Sequence, residues 1–368
     1  MANAFLTPDI IAQEALMILE NNLVFANLVH RDYAQEFTGA KVGDTVSIRK
    51  PASFVVKEFT STVDIQTATE TSVSLKLEKH FDVSFAVTAR DWTLELQRFS
   101  EQLIRPAVVA LAQGIDAYVA AQYVGSYSYV GTAGTPPDAL LDIADIDKEM
   151  NENQVPNAGR SVVVNPAGKR ELFKIAQFTD ADKRGDGGTA LRDASMGSFM
   201  GFDWYMDQNI KAHTVGTSDA NTLTAATAAA GDTSVAIDTG TGTYVVGDLV
   251  TIEDTVGTYR VTAAVASTAS GTLNVDPPFE ASVADGKAVT LVAAHTANLA
   301  FTRGGIALAT VPLDLPNGAA NAMMMSDRGL GIRYVSTYDS STKTDTISLD
   351  LLCGAKVIDG RLVTRVLG

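Results

Sequence analysis

The sequence predicts an α+β fold that carries a small inserted all-β domain. Segments near the N-terminus and after residue 295 alternate apolar and polar residues with the period of half-buried strands. An apolar stripe with helical spacing runs through residues 91–124. Residues 214–294 consist mainly of Ala, Thr, Gly, Val and Asp in short alternating runs after glycine turns, which is typical of a small barrel or sandwich.

The N-terminal segment is predicted to be a helical arm. Thr7 is a good N-cap, and Pro8 suits the first helical position because its missing N–H would have no partner there. Ile11 and Ala15 then fall on one face of the helix. We therefore expect a helix that begins at Pro8.

Residues 42–90 are predicted to form a long antiparallel hairpin. Val46, Ile48 and, on the returning side, Leu75 alternate with polar neighbours. The polar stretch 57–71 between the strands has no strong core pattern. We therefore expect the hairpin tip to project from the body of the subunit.

The helix over 91–124 is the strongest in the sequence, with Leu111 and Ile115 in its stripe and Pro106 expected to kink or restart it. An acidic amphipathic helix is expected after residue 139. The strand Ser161–Val164 and a helix that starts near Pro166 follow.

Composition and motifs argue against catalysis. The lone Cys353 cannot form an internal disulfide and is expected to be a buried core residue. The four histidines are far apart and are interpreted as surface or boundary residues: His30, His80, His213 and His295. No phosphate-binding loop, dinucleotide fingerprint or nucleophile elbow is present, so we expect no catalytic, cofactor-binding or metal-binding residues and no enzyme activity.

The acidic residues also bear on function. Asp142, Asp145, Asp147, Glu149 and Glu152 share one predicted helix and are interpreted as its solvated face. The net charge of −15 is unsuited to general attraction of nucleic acid, which requires Lys and Arg. No uninterrupted apolar run approaches the roughly 20 residues of a membrane span, and the first residues lack a secretory signal pattern. A cytoplasm-like compartment is therefore expected.

The order of these elements resembles that of the major capsid proteins of tailed bacteriophages, which share the HK97-like fold. The likeness is closest to the P22-like coat proteins that carry an insertion domain. TPDIIAQEALMILENNLVFANLVHRDY is similar to the N-terminal arm, and GDTVSIRKP through HFDVSFAVTARDW to the extended E-loop hairpin. WTLELQRFSEQLIRPAVVALAQGIDAYVAAQY is similar to the spine helix, and SVVVNPAGKRELFK with NLAFTRGGIALATVPL to the axial domain.

The resemblance implies a division of the whole chain into six parts. In order they are the N-terminal arm 1–41, the E-loop hairpin 42–90, the peripheral domain with its spine helix 91–138, the first part of the axial domain 139–213, the inserted β-domain 214–294, and the return to the axial and peripheral domains 295–368.

The resemblance also implies a function and partners. The subunit would assemble with itself as pentamers and hexamers into an icosahedral head that encloses dsDNA, in the host bacterial cytoplasm and then in the virion. Its partners would be a scaffolding protein, a portal and a decoration protein, with no membrane. DNA would lie inside without sequence-specific binding, because an acidic wall lets it slide.

Charged residues on the hairpin and on the polar loop 180–195 are the candidates for contacts between subunits. They are Arg49, Lys50, Lys57, Glu58, Glu70, Lys76, Glu78, Lys79, Asp182, Lys183 and Arg184. An exposed ion pair contributes only about 0–1 kcal/mol, so the stability of a shell would come from the multiplicity of such contacts.

Two alternatives remain open at this point. An encapsulin-like compartment shell would share the fold but enclose protein cargo. An enzyme or carbohydrate-binding protein would use residues 214–294 as a binding module, although their Trp and Tyr content is limited to Tyr244 and Tyr259.

Overall fold

A computed structural model of the chain describes most of its residues. The described positions are 8–33, 45–50, 54, 56, 58, 59, 65, 67, 70–88, 90, 100–180, 193–219, 221–223, 228–266, 270–317 and 321–368. They fall into two compact units. Unit 1 comprises the described parts of Met1–Ile18, Arg31–Val108 and Ala307–Ile358, and unit 2 those of Leu19–His30, Val109–Ile306 and Asp359–Gly368.

Six α-helices occur in the described ranges. They are α1 Pro8–Asn22, α2 Phe25–Leu28, α3 Arg105–Ala120, α4 Leu140–Glu152, α5 Pro166–Leu172 and α6 Ala176–Thr179. A π-helical turn over Ser100–Ile104 precedes α3, and a 3₁₀ turn over Ala121–Gly125 follows it.

Twenty strands make up the sheets of the described chain. The first ten are β1 Thr45–Lys50, β2 Thr71–Lys76, β3 Lys79–Thr88, β4 Ser128–Val130, β5 Arg160–Val164, β6 Ser198–Phe199, β7 Phe202–Met206, β8 Ala212–His213, β9 Asn221–Leu223 and β10 Ser234–Asp238. The others are β11 Leu249–Ile252, β12 Tyr259–Val261, β13 Ser270–Asp276, β14 Ala288–Leu291, β15 His295–Thr302, β16 Ile306–Val311, β17 Asn321–Asp327, β18 Leu330–Asp339, β19 Thr344–Val357 and β20 Val363–Leu367.

Local sequence signals account for several of these elements. Helix α1 begins at Pro8, as predicted, and buries Ile11 and Ala15. Asn165 caps α5 by accepting a hydrogen bond from the Gly168 N–H at 2.7 Å, which explains why a helix starts directly after the buried strand β5. The π-helical turn lies next to Pro106, since proline lacks the N–H that would continue an α-helical ladder. Residues 91–99 of the predicted helix lie outside the described residues.

Unit 1 is built around a five-stranded sheet. Its strand order is β16-β19-β18-β17, and β3 also pairs with β19. The β3–β19 register runs from Thr88 opposite Thr344 to Lys79 opposite Cys353. Strand β3 therefore belongs to this sheet, although the sequence grouped it with the hairpin. Cys353 is fully buried, and burial raises the pKa of its thiol far above the usual value, consistent with a core residue.

Unit 2 contains a seven-stranded sheet and a closed barrel. The sheet has the order β4-β20-β15-β5-β7-β6, with β8 paired to β15. It forms a core with α4 and the helices after β5 that includes Ile146, Met150, Phe178 and Trp204. The barrel closes in the order β10-β13-β12-β11-β14-β9 around a core of its own. This barrel lies within residues 214–294, where the sequence predicted a small all-β domain.

The region around α3 also satisfies a simple test for a membrane span. Ser100–Gly125 has a mean hydropathy of 1.3 over an 18-residue window, although the sequence had suggested no spanning segment. Half of that window is buried within the protein, including Val108, Leu111 and Ile115. A buried apolar face of this kind is typical of the core helix of a globular fold.

Candidate intersubunit surface and barrel anchor

The β1–β2 hairpin is anchored by its buried face. The two strands pair antiparallel, from Thr45 opposite Lys76 to Lys50 opposite Thr71. Ile48 and Leu75 are buried against residues such as Ala309, within unit 1. This packing fixes the base of the hairpin, whose two strands are connected by residues 51–70.

Large apolar side chains are exposed on the segment that the hairpin carries. Phe54 is 62% exposed, Val56 98%, Phe59 68% and Ile65 88%. Every other described residue between 54 and 70 is exposed as well. Four such side chains within twelve residues form a surface whose burial against another protein would be favourable. Only charged residues of the hairpin were predicted to make contacts, so these four were not identified from the sequence. They could have been recognised as large apolar residues in a segment without strand or helix periodicity.

The charged residues predicted to contact other subunits differ in exposure and pairing. Arg49 and Glu70 approach each other at 3.9 Å across the hairpin, with both side chains largely exposed. Glu58, Lys76, Glu78 and Lys79 are exposed, and Lys50 is half-buried. Lys57, Asp182, Lys183 and Arg184 lie outside the described residues. Their role in contacts between subunits stays a prediction.

The close approach of β19 to the hairpin base makes Gly354 sensitive to substitution. A Cβ added there would lie 2.2 Å from the Lys76 carbonyl oxygen, so backbone would have to move. We expect Gly354→Ala to destabilise the subunit by about 1–3 kcal/mol, as overpacking does. The measurement is thermal unfolding of the purified subunit. Gly304→Ala is the control, because the nearest atom to its new Cβ would be 4.0 Å away; equal effects of the two changes would contradict the prediction.

A buried polar network in unit 2 connects the barrel to the seven-stranded sheet. Asp248, directly before β11, is fully buried and accepts hydrogen bonds from His213 Nε2 at 2.8 Å, Gly216 N at 3.1 Å and Val245 N at 2.7 Å. His213 Nδ1 in turn lies 2.9 Å from the Tyr123 hydroxyl. One carboxylate thus fixes a barrel turn, the loop that enters the barrel and strand β8.

Arg365 extends this network, and the ring of His295 packs against that of His213 with centroids 5.5 Å apart. The fully buried Arg365 donates from Nε to the Tyr123 carbonyl at 3.0 Å and from Nη2 to the Ser126 carbonyl at 2.9 Å. Burial lowers the pKa of Arg365 to about 9. Burial also lowers the pKa of His295 to about 4, which keeps its ring neutral at pH 7.

Two predictions about individual residues are wrong. His213 and His295 are each 3% exposed, not surface residues, because the antiparallel β8–β15 pair places them opposite each other. Asp147 is not part of a purely solvated face; it binds Arg160, which is 2% exposed, at 2.7 Å. In both cases a partner distant in sequence determines the role of the residue.

These features define a class of protein. A hairpin that carries exposed apolar residues and a barrel held by a structural network suit repeated contacts between copies of one chain. Within the described residues, no group of three or more His, Cys, Asp or Glu side chains is arranged to hold a metal ion. The exposed apolar residues of the hairpin favour a structural subunit that contacts other chains.

Comparison with known proteins agrees with this class. The family model described as "P22 coat protein - gene protein 5" matches residues 1–269. The chain belongs to the P22 coat protein family, and it is a structural major capsid protein of the virion. Among curated proteins, none matches the sequence.

Comparison with solved structures gives matches to phage capsids. A chain of Mycobacterium phage Che8 is 19% identical, with 94% of this chain and 90% of that chain covered and a TM-score of 0.55. A chain of the bacteriophage PhiM1 mature capsid is 11% identical, with 94% and 86% covered and a TM-score of 0.49. A chain of the capsid of cyanophage P-SCSP1u is 9% identical, with 88% and 83% covered and a TM-score of 0.47. The Che8 match supports the HK97-like fold.

Proposed function

We propose that the subunit assembles as pentamers and hexamers into a closed icosahedral head around dsDNA, with residues 51–70 of each copy lying on a neighbouring copy. The observation that carries this proposal is the exposure of Phe54, Val56, Phe59 and Ile65 on a hairpin whose base is buried. All described residues between 54 and 70 are exposed, so these four side chains are available for burial against another chain.

The energetics favour apolar contacts over the charged pairs. Complete burial of a large apolar side chain contributes about 1.5–3 kcal/mol, whereas an exposed ion pair such as Arg49–Glu70 contributes about 0–1 kcal/mol. Each subunit in a closed shell would provide one hairpin and receive another. Modest contacts would therefore add up across the whole particle.

The charge of the subunit supports a passive relation to DNA. At a net charge of −15, the chain lacks the excess of Lys and Arg that neutralises phosphates. We therefore expect packaged DNA to lie inside the head without sequence-specific binding. A scaffolding protein, a portal and a decoration protein are the proposed partners, assembly is proposed to occur in the host bacterial cytoplasm, and the subunit is proposed to have no enzymatic role.

The experiment is assembly of the full chain expressed with and without a scaffolding protein. Light scattering after gel filtration and negative-stain microscopy should show closed shells of megadalton mass. Monomers as the only species, even with the scaffolding protein, would contradict the proposal. Particles from the natural host should protect DNA from nuclease; enclosed protein cargo in its place would favour the compartment-shell alternative.

A further inference from the structure

We propose that unit 2 contains a calcium-binding site in the cavity between α3, the connection from α1 to α2, and the residues that follow β7. The cavity has a volume of about 200 Å³. Since one water molecule occupies about 30 Å³ in the liquid, there is room for an ion with several water ligands. Two carboxylates from different elements, Asp116 and Asp207, line it.

Asp207 is the main reason to infer a cation. It is 4% exposed, and its Oδ1 accepts hydrogen bonds from the backbone N–H and the side-chain amide of Asn209 at 2.7 and 2.8 Å. Its Oδ2 is buried and has no hydrogen-bond partner. A buried carboxylate oxygen without a donor is costly, and buried charges are usually paired or bound to a metal.

Asp116 adds a second carboxylate from α3. It is 1% exposed and accepts hydrogen bonds from the N–H groups of Val24 at 2.7 Å and Ala26 at 3.1 Å. A carboxylate has about four lone-pair positions, so these bonds leave room for a further ligand. Two acidic side chains thus share one cavity with no lysine, arginine or histidine among its described lining residues. Burial raises the pKa of Asp116 to about 7, and a bound cation would favour its ionised form.

The other polar lining residues fit a hard cation. Asn22, Gln113 and Gln208, whose side chains carry amide oxygens, are among the lining residues, and the described lining includes no cysteine or histidine. Calcium accepts six to eight oxygen ligands in irregular arrangements, whereas magnesium requires a near-ideal octahedron and zinc prefers nitrogen and sulfur. The donor set therefore favours calcium.

The test is calcium binding by the full chain after treatment with a chelator. Isothermal titration with CaCl₂ in 150 mM NaCl should show about one ion bound per chain, and the thermal unfolding midpoint should rise with calcium concentration because the ion binds only the folded state. Asp207→Asn keeps the side-chain volume and the Oδ1 acceptor for Asn209. It should weaken calcium binding at least about tenfold, because affinity depends on ligand charge.

Asp203→Asn is the matched control. It removes the same charge from β7, four residues before Asp207, at an exposed position outside the cavity. It should leave calcium binding unchanged. If Asp207→Asn does not fold, Asp207→Ser is used in its place, because serine also keeps an oxygen acceptor.

Absence of calcium binding by the parent chain would overturn the inference. So would equal binding by the parent and the Asp207 variant, since that indicates adventitious binding to surface carboxylates. Because binding is measured on the subunit, the result is independent of whether the chain forms shells.

Discussion

Asp248→Ala is expected to destabilise the subunit by about 3–5 kcal/mol, because each buried donor left without an acceptor costs about 1–3 kcal/mol. The substitution would leave His213 Nε2 and the N–H groups of Gly216 and Val245 without their acceptor in a site where Asp248 is fully buried. The thermal unfolding midpoint should fall by about 4–6 °C.

Two variants separate this effect from a simple change of charge. Asp285→Ala removes an exposed carboxylate from the same barrel and should change stability by less than about 0.5 kcal/mol. Asp248→Asn keeps one acceptor oxygen and should fall between the two. Differential scanning calorimetry of the three variants provides the comparison. Similar midpoints for Asp248→Ala and Asp285→Ala would show that the network does not hold the barrel.

The sequence predicted those elements whose causes are local. Pro8 at the start of α1 and Pro166 at the start of α5 act on the backbone within one turn, so the sequence predicted where both helices begin. The fold class and its family were recognisable for a similar reason. Each element has a local sequence pattern, and the order of these patterns along the chain is the order of elements in the family.

Long-range pairing could not be predicted in the same way. Residues 79–88 have the alternation of a strand, but nothing in them specifies residues 344–353 as their partners. The same limit applies to His213 and His295, whose burial depends on the β8–β15 pair. Side chains that depend on distant neighbours look like ordinary surface residues in a single sequence.

The hairpin tip shows a different limit. Phe54, Phe59 and Ile65 could belong to a poorly patterned core or to an exposed contact surface, and periodicity alone does not separate the two. Their exposure distinguishes these possibilities. The structure therefore separates the buried base of the hairpin, Ile48 and Leu75, from the exposed residues that we propose as a contact surface.

The double variant Phe54→Ser, Phe59→Ser is expected to prevent efficient shell assembly while leaving the isolated subunit as stable as before. Both rings are mostly exposed, at 62% and 68%, so the fold loses little when they are removed. If the shell buries them, each lost ring weakens a contact by up to about 1.5–3 kcal/mol. Because 1.4 kcal/mol corresponds to a tenfold change in an equilibrium constant, the concentration needed for assembly should rise at least about tenfold.

The matched control is Arg49→Ala, Glu70→Ala on the same hairpin. It removes two charged side chains that already contact each other, and a surface pair of this kind contributes about 0–1 kcal/mol. Light scattering over a concentration series, with calorimetry of the unassembled subunit, measures both effects. Assembly of the double phenylalanine variant at the same concentration as the parent would refute an apolar contact. A larger loss of assembly in the charge variant would show that the charged residues make the contact. The physical distinction is that apolar burial gains energy only in the shell, while the Arg49–Glu70 pair is already formed within one subunit.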